Sequence, residues 1–193
     1  MTTRVNKGNS IVIQPTHQYE TKIQNFILNY NSRTTTRDPT NIFQTHIRQT
    51  INETRTLTPR DSRWNYIKMN TSGPSIKGLI KLYKPDQQIR PVVNWKNDPA
   101  YRLSKLFTEK IHHLTPLPNA FNIKNIQELI QNLNDTPLLP CHSLTSLDIM
   151  NMYSNIPIVE TKKILTDILK LELVNPQAQQ EILKWYDIIT RQN

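Results

Sequence analysis

His142-Ser-Leu-Thr-Ser-Leu-Asp-Ile-Met-Asn-Met-Tyr-Ser-Asn-Ile-Pro157 is the stretch whose reading decides the fold. It opens with a strand-like apolar run, Leu144 to Ile149, that carries one acid, Asp148, near its end. Tyr153 follows five residues later, and Asn155-Ile156-Pro157 then opens an amphipathic helix. A carboxylate at a strand end is held rigidly and still reaches a metal ion. An aromatic ring just beyond it forms the floor of a sugar pocket. Together they suit nucleotidyl transfer. The same spacing also describes an ordinary strand–turn–helix in which Asp148 caps the turn.

Working outward, the charge is unevenly spread. The chain carries a net charge of +9. Residues 1–114 hold 18 Lys/Arg against 7 Asp/Glu, whereas residues 115–193 hold 6 against 8. The first part therefore attracts a polyanion, and nucleic acid is the leading candidate, because neutralised phosphates release condensed counterions. A basic surface that serves only solubility is the alternative. No helix is dense enough in cations on one face to favour a membrane surface. No apolar run is long enough to span a bilayer, and no secretory signal opens the chain. The single cysteine, Cys141, excludes an internal disulfide and leans towards a reducing compartment. Thirteen prolines and three glycines imply many rigid breaks and few freely turning positions.

The rest of the chain reads as short helices around one hairpin. Residues 4–13 form a polar turn at Gly8 and a β-branched strand. Thr16 caps a helix over about 18–30 with Tyr19, Ile23, Phe26, Ile27 and Tyr30 on one face. Asp38-Pro39 starts a second helix with Phe43, Ile47 and Ile51 as its stripe. Ile76 to Tyr83 and Ile89 to Asn94 are the arms of a β-hairpin turning through 85–88. Asp98-Pro99 starts a helix whose apolar set is Tyr101, Leu103, Leu106, Phe107, Ile111 and Leu114. Asn122 caps a helix over 123–134, with Phe121 and Ile126 as a hydrophobic staple. Two helices, 158–173 and 177–190, follow the Asp148 stretch.

Few other residues carry chemistry. Lys84 and Arg90 flank the hairpin turn and suit a shared anion, Arg as a rigid fork and Lys as a mobile charge. A solvated turn would look the same. His112-His113 and Cys141-His142 lack the spacing of a metal site. There is no phosphate-cradling glycine loop, which argues against ordinary triphosphate hydrolases. Ser143 and Ser146 have no evident activating base.

Four of these pieces come in an order that resembles Penelope-like retroelement reverse transcriptases. The hairpin Gly78-Leu-Ile-Lys-Leu-Tyr-Lys-Pro-Asp-Gln-Gln-Ile-Arg-Pro-Val-Val93, with Asn97-Asp-Pro-Ala-Tyr-Arg-Leu-Ser-Lys-Leu106, is similar to that family's fingers. Ser146-Leu-Asp-Ile-Met-Asn-Met-Tyr-Ser-Asn-Ile-Pro157 resembles its first catalytic motif. Arg4-Val-Asn-Lys-Gly-Asn-Ser-Ile-Val-Ile13 resembles its upstream Asp-Lys-Gly element, with Asn6 in place of the acid, and Asp38-Pro39-Thr40 its Asp-Pro-Thr step.

The resemblance implies roles. Asp148 would be the catalytic, metal-binding acid, and the Ile149 backbone carbonyl a further ligand for Mg2+. Tyr153 would lie beneath the incoming sugar and exclude a 2′-hydroxyl. Lys84 and Arg90 would grip the triphosphate. The implied partners are RNA template, DNA primer and deoxynucleoside triphosphates, with no membrane. The implied setting is intracellular, the nucleus being where such an enzyme meets chromosomal DNA.

The expectation is thus an α+β chain: the fingers and partial palm of a right-hand polymerase, mostly helical, with a finger β-hairpin and one palm strand. Residues 1–70 would be the helical N-terminal extension, 71–140 the fingers hairpin and helices, and 141–193 the partial palm. The family's second catalytic acid motif, thumb and endonuclease are not among these residues. The expected activity is that of an RNA-directed DNA polymerase fragment, inactive alone. The alternative is a non-enzymatic basic module that binds RNA or DNA.

Overall fold

The computed structural model describes residues 1–29, 35–84, 87–115, 123–135, 137, 143, 145–147 and 155–190. These form an α+β structure of seven α-helices and two two-stranded antiparallel sheets. The chain order is β1 (Thr2–Arg4), β2 (Ile11–Ile13), α1 (Thr16–Asn29) and α2 (Thr40–Glu53). A 3-10 turn (Arg60–Ser62) leads into α3 (Arg63–Tyr66). Then come β3 (Ser75–Ile80), β4 (Ile89–Asn94), α4 (Tyr101–Leu114), α5 (Ile126–Asn134), α6 (Ile158–Leu171) and α7 (Pro176–Thr190).

The core is helical. Ile47 and Ile51 of α2, Leu103 and Leu106 of α4, Leu169 of α6, and Ala178, Ile182 and Trp185 of α7 meet in one buried cluster, with Leu57 and Ile67 from the intervening loops. Its members come from all three of the segments 1–70, 71–140 and 141–193. Trp185 lies at the centre, 0% exposed, and its indole N–H donates to Thr54 Oγ1 at 3.2 Å. A buried tryptophan thereby keeps its one polar atom satisfied.

The second polar group in this core is Glu181, 3% exposed. Its carboxylate accepts from the backbone N–H groups of Arg55 (2.8 Å), Thr56 (2.9 and 3.1 Å) and Leu57 (2.8 Å). Burial pushes this carboxyl up, but the N–H donors of Thr56 and Leu57 outweigh it and hold it below the ordinary value of 4.5. The carboxylate thus serves three donors of the turn after α2, of which the Leu57 N–H is buried.

Both Asp-Pro steps start helices in the same way. Asp38 Oδ1 accepts from the Thr40 N–H at 2.9 Å, and Asp98 Oδ1 from the Ala100 N–H at 2.8 Å. Each proline lies just before its helix, one position earlier than expected for Pro39. α5 begins at Ile126, not at 123, because Asn125 is the cap: its side chain accepts from the Glu128 N–H at 2.9 Å. Glu128 in turn accepts from the Lys124 N–H at 2.7 Å. Asn-x-x-Glu is the stronger start signal, since both side chains satisfy main-chain donors. Phe121 and Asn122 lie outside the described residues. Tyr101, expected in the core, is 44% exposed at the first position of α4, whose buried residues are Leu103 and Leu106.

The two sheets and α1 form the other pole. β3 pairs with β4 in the register Leu79–Arg90 and Ile80–Ile89. β1 lies beside β3, with Val5 bridging to Ile80 in parallel and Thr3 Oγ1 donating to Gly78 O at 3.2 Å. α1 lies across the hairpin by the expected stripe, with Tyr19, Ile23, Phe26 and Ile27 half-buried and none fully buried. Gly78 makes this packing possible. A Cβ there would sit 2.9 Å from Ile23 Cδ1, while the Gly78 N–H donates to the Tyr19 hydroxyl at 2.7 Å. Gly8, at φ +88, makes the turn between β1 and β2.

Candidate functional site at the hairpin tip

The first arm of the hairpin is shorter than the residues suggest. It stops at Ile80 instead of Tyr83, and residues 81–84 coil into the turn. Lys81 N–H donates to Gln88 O (2.8 Å), Lys84 N–H to Lys81 O (3.1 Å) and Gln87 N–H to Lys84 O (3.2 Å). These tight turns satisfy the main chain locally, so the strand ladder is not extended. Gln87 accepts a positive φ of 47° here. The consequence for the site is that Lys84 stands in the turn itself, exposed, beside an exposed Tyr83.

The turn is braced from the N-terminus. Asn6 N–H donates to Ile80 O at 2.9 Å, which brings residues 6–8 against the end of the hairpin. The Asn6 side chain then bridges two residues about eighty positions away. Its amide donates to the Tyr83 hydroxyl at 3.1 Å and its Oδ1 accepts from Arg90 Nη1 at 3.2 Å. Lys7 Nζ lies 5.3 Å from the centroid of the Tyr83 ring, a cation–π distance. Lys22 of α1 reaches over and donates to Gln87 O at 3.0 Å. Lys7, Lys22, Lys84 and Arg90 thus collect at one end of the hairpin, and none of the contacts named uses a carboxylate. The one acid of the turn, Asp86, lies outside the described residues.

The neutral Asn6 has an electrostatic effect. An amide orients the Arg90 guanidinium without cancelling its charge, whereas an aspartate at the same place would form an ion pair. Arg90 therefore offers its remaining donors with full charge at an exposed position. The tip can hold a polyanion of phosphate size by charge-assisted hydrogen bonds.

Of the sequence-derived site residues, Lys84 and Arg90 are brought to the same end of the hairpin. Asp148, Ile149 and Tyr153 lie outside the described residues. Residues 145–147, the described part of the expected palm strand, belong to no strand, and Leu147 is 89% exposed. Among the described residues there is no group of three His, Cys, Asp or Glu side chains able to hold a metal ion. Asp167 and Asp187, the acids that follow, stand on α6 and α7, and Asp187 pairs with Lys162 at 2.7 Å. No helix among the described residues is long and apolar enough to cross a membrane. Tyr83, Lys7 and Lys22 are the members of the tip that sequence reasoning missed. The only hint was that Lys7 and Tyr83 sit inside two separately noted motifs.

Compared with models of known families, with curated proteins and with solved structures, the chain matches none.

Proposed function

We propose that this chain is the fingers and first palm segment of an RNA-directed DNA polymerase, and that the hairpin tip binds the triphosphate of a deoxynucleotide. The observation that carries this reading is the bridge Arg90–Asn6–Tyr83 with Lys84 and Lys7 beside it. Two motifs far apart in sequence fold into one cationic end, and their arginine is positioned by an uncharged partner. A merely soluble surface needs no such bracing.

In this reading RNA template and DNA primer occupy the basic first half. Asp148 and the Ile149 carbonyl would hold Mg2+, which would supply charge stabilisation to the transferring phosphoryl group. Tyr153 would bar ribonucleotides at the sugar. Asp148 is the single acid of a catalytic motif in the sequence, and one carboxylate does not clamp two cations roughly 3.5–4 Å apart. Primer extension on an RNA template by these 193 residues alone is therefore expected to give no incorporation.

The test is binding of a deoxynucleoside triphosphate by titration calorimetry. Arg90→Ala and Lys84→Ala should each weaken it by about tenfold, as expected when a charge-assisted hydrogen bond is lost. Asp148→Ala should remove its Mg2+ dependence. Unchanged affinity in all three, with RNA binding intact, would instead favour a non-enzymatic RNA- or DNA-binding module.

A further inference from the structure

Trp64 is 74% exposed, whereas Trp95 is 38% exposed and Trp185 fully buried. A large aromatic ring so far out of the core buries little area on folding, and what it can contact is set by its surroundings. It projects from α3, a short helical turn that continues from the 3-10 turn Arg60–Ser62. Arg60 opens that 3-10 turn, four residues before Trp64.

The surroundings are cationic and fixed. Residues 54–69 hold Arg55, Arg60, Arg63 and Lys68 against one acid, Asp61. Arg63 Nε donates to Thr58 O at 3.2 Å. From α4, Arg102 Nη1 donates to the carbonyls of Asn65 (3.2 Å) and Ile67 (3.0 Å). Two guanidinium groups are thus held by neutral main-chain acceptors of the segment that carries Trp64. The ion pairs among the described residues, Lys162–Asp187 and Lys184–Glu53, involve neither of them. Arg48 reaches the exposed Met69 at 3.7 Å from its sulfur.

An exposed aromatic ring in a basic segment with main-chain-anchored arginines matches the requirements of an unpaired base and its phosphates. We propose that Trp64 is a stacking platform for a base of single-stranded RNA or DNA, with Arg60, Arg63 and Arg102 contacting the phosphate backbone. A duplex does not fit this role, because its base faces are already stacked. The charge of the patch disfavours a cationic partner. The inference does not depend on the polymerase reading, since it uses none of the hairpin-tip residues.

Fluorescence anisotropy of labelled uridine and thymidine oligonucleotides about twelve nucleotides long tests it. Trp64→Ala should weaken both by about 5- to 100-fold, the range that loss of one stacked base gives. Trp64→Phe should recover most of the affinity, and Trp95→Ala should leave it within about twofold. Binding of a duplex of the same length should be unchanged by Trp64→Ala, as should triphosphate binding at the hairpin tip. Equal single-strand affinity in wild type and Trp64→Ala would overturn the proposal. So would an equal loss of duplex and single-strand binding, or no single-strand binding by the wild type. Failure of the polymerase reading would register separately, as triphosphate binding indifferent to Arg90→Ala.

Discussion

The helical core and the hairpin tip solve opposite problems with similar parts. In the core Trp185 and Glu181 are buried and partnered, the first by Thr54 and the second by three main-chain donors. At the tip Lys7, Lys84 and Arg90 are exposed and Lys22 half-buried, and the partners named for them are neutral: Asn6 for Arg90, the Tyr83 ring for Lys7, a carbonyl for Lys22. Glu181 completes a turn in the core, while the tip orients its cations at the surface. Partners are neutral in both places, so burial and the saturation of hydrogen-bonding capacity, not the charge of the partner, distinguish the two regions.

The comparison breaks most severely at Trp185. Trp185→Ala should cost about 3–5 kcal/mol in chemical denaturation, because it empties the centre of the cluster formed by α2, α4, α6 and α7. Triphosphate binding by the folded fraction should persist. Next comes Glu181→Ala, with a loss of about 3 kcal/mol, since the N–H groups of Arg55, Thr56 and Leu57 would lose their acceptor. The same group gives a pH signature. Its folded value lies below the ordinary 4.5, so its stabilisation is complete above that pH and is lost as pH falls through the folded value. A denaturation series from pH 7 to pH 3 should therefore show an acid-side decline that Glu181→Gln flattens.

Gly78→Ala should cost about 1 kcal/mol, because the added methyl group meets Ile23 Cδ1 at 2.9 Å and that side chain must turn aside. Its effect should centre on α1 and the hairpin, visible as chemical-shift changes there and not around Trp185. The smallest change sharpens the comparison most. Asn6→Asp should leave stability within about 0.5 kcal/mol, because the side-chain contacts of this half-buried residue lie at the surface. It should nonetheless weaken triphosphate binding several-fold, by neutralising Arg90. Unaltered affinity in that variant would remove the case that the tip depends on an unneutralised arginine.

Much of the fold was legible because its signals are local. The stripes Ile47/Ile51 and Leu103/Leu106 follow helical spacing, and both Asp-Pro steps fix where those helices begin. The hairpin arms are β-branched runs around a polar turn. Boundaries failed where two local signals competed: Asn125 with Glu128 outweighed Asn122 as a cap, and the tight turns over 81–84 outweighed continued strand pairing. The site was legible only in part. Lys84 and Arg90 are near neighbours in sequence, so their shared turn could be read. The Asn6–Arg90 contact spans 84 residues and depends on how β1 docks beside β3, which no periodicity encodes. Trp64 was equally hidden, since exposure of a ring on a four-residue helix follows from packing and not from pattern.

The carboxylate on α7 also sets an order of events during synthesis. The turn at 55–57 leaves the ribosome well over a hundred residues ahead of its acceptor, the separation being 124 to 126 positions. Until α7 emerges those amides have water as their partner, so this turn reaches its final form late in synthesis.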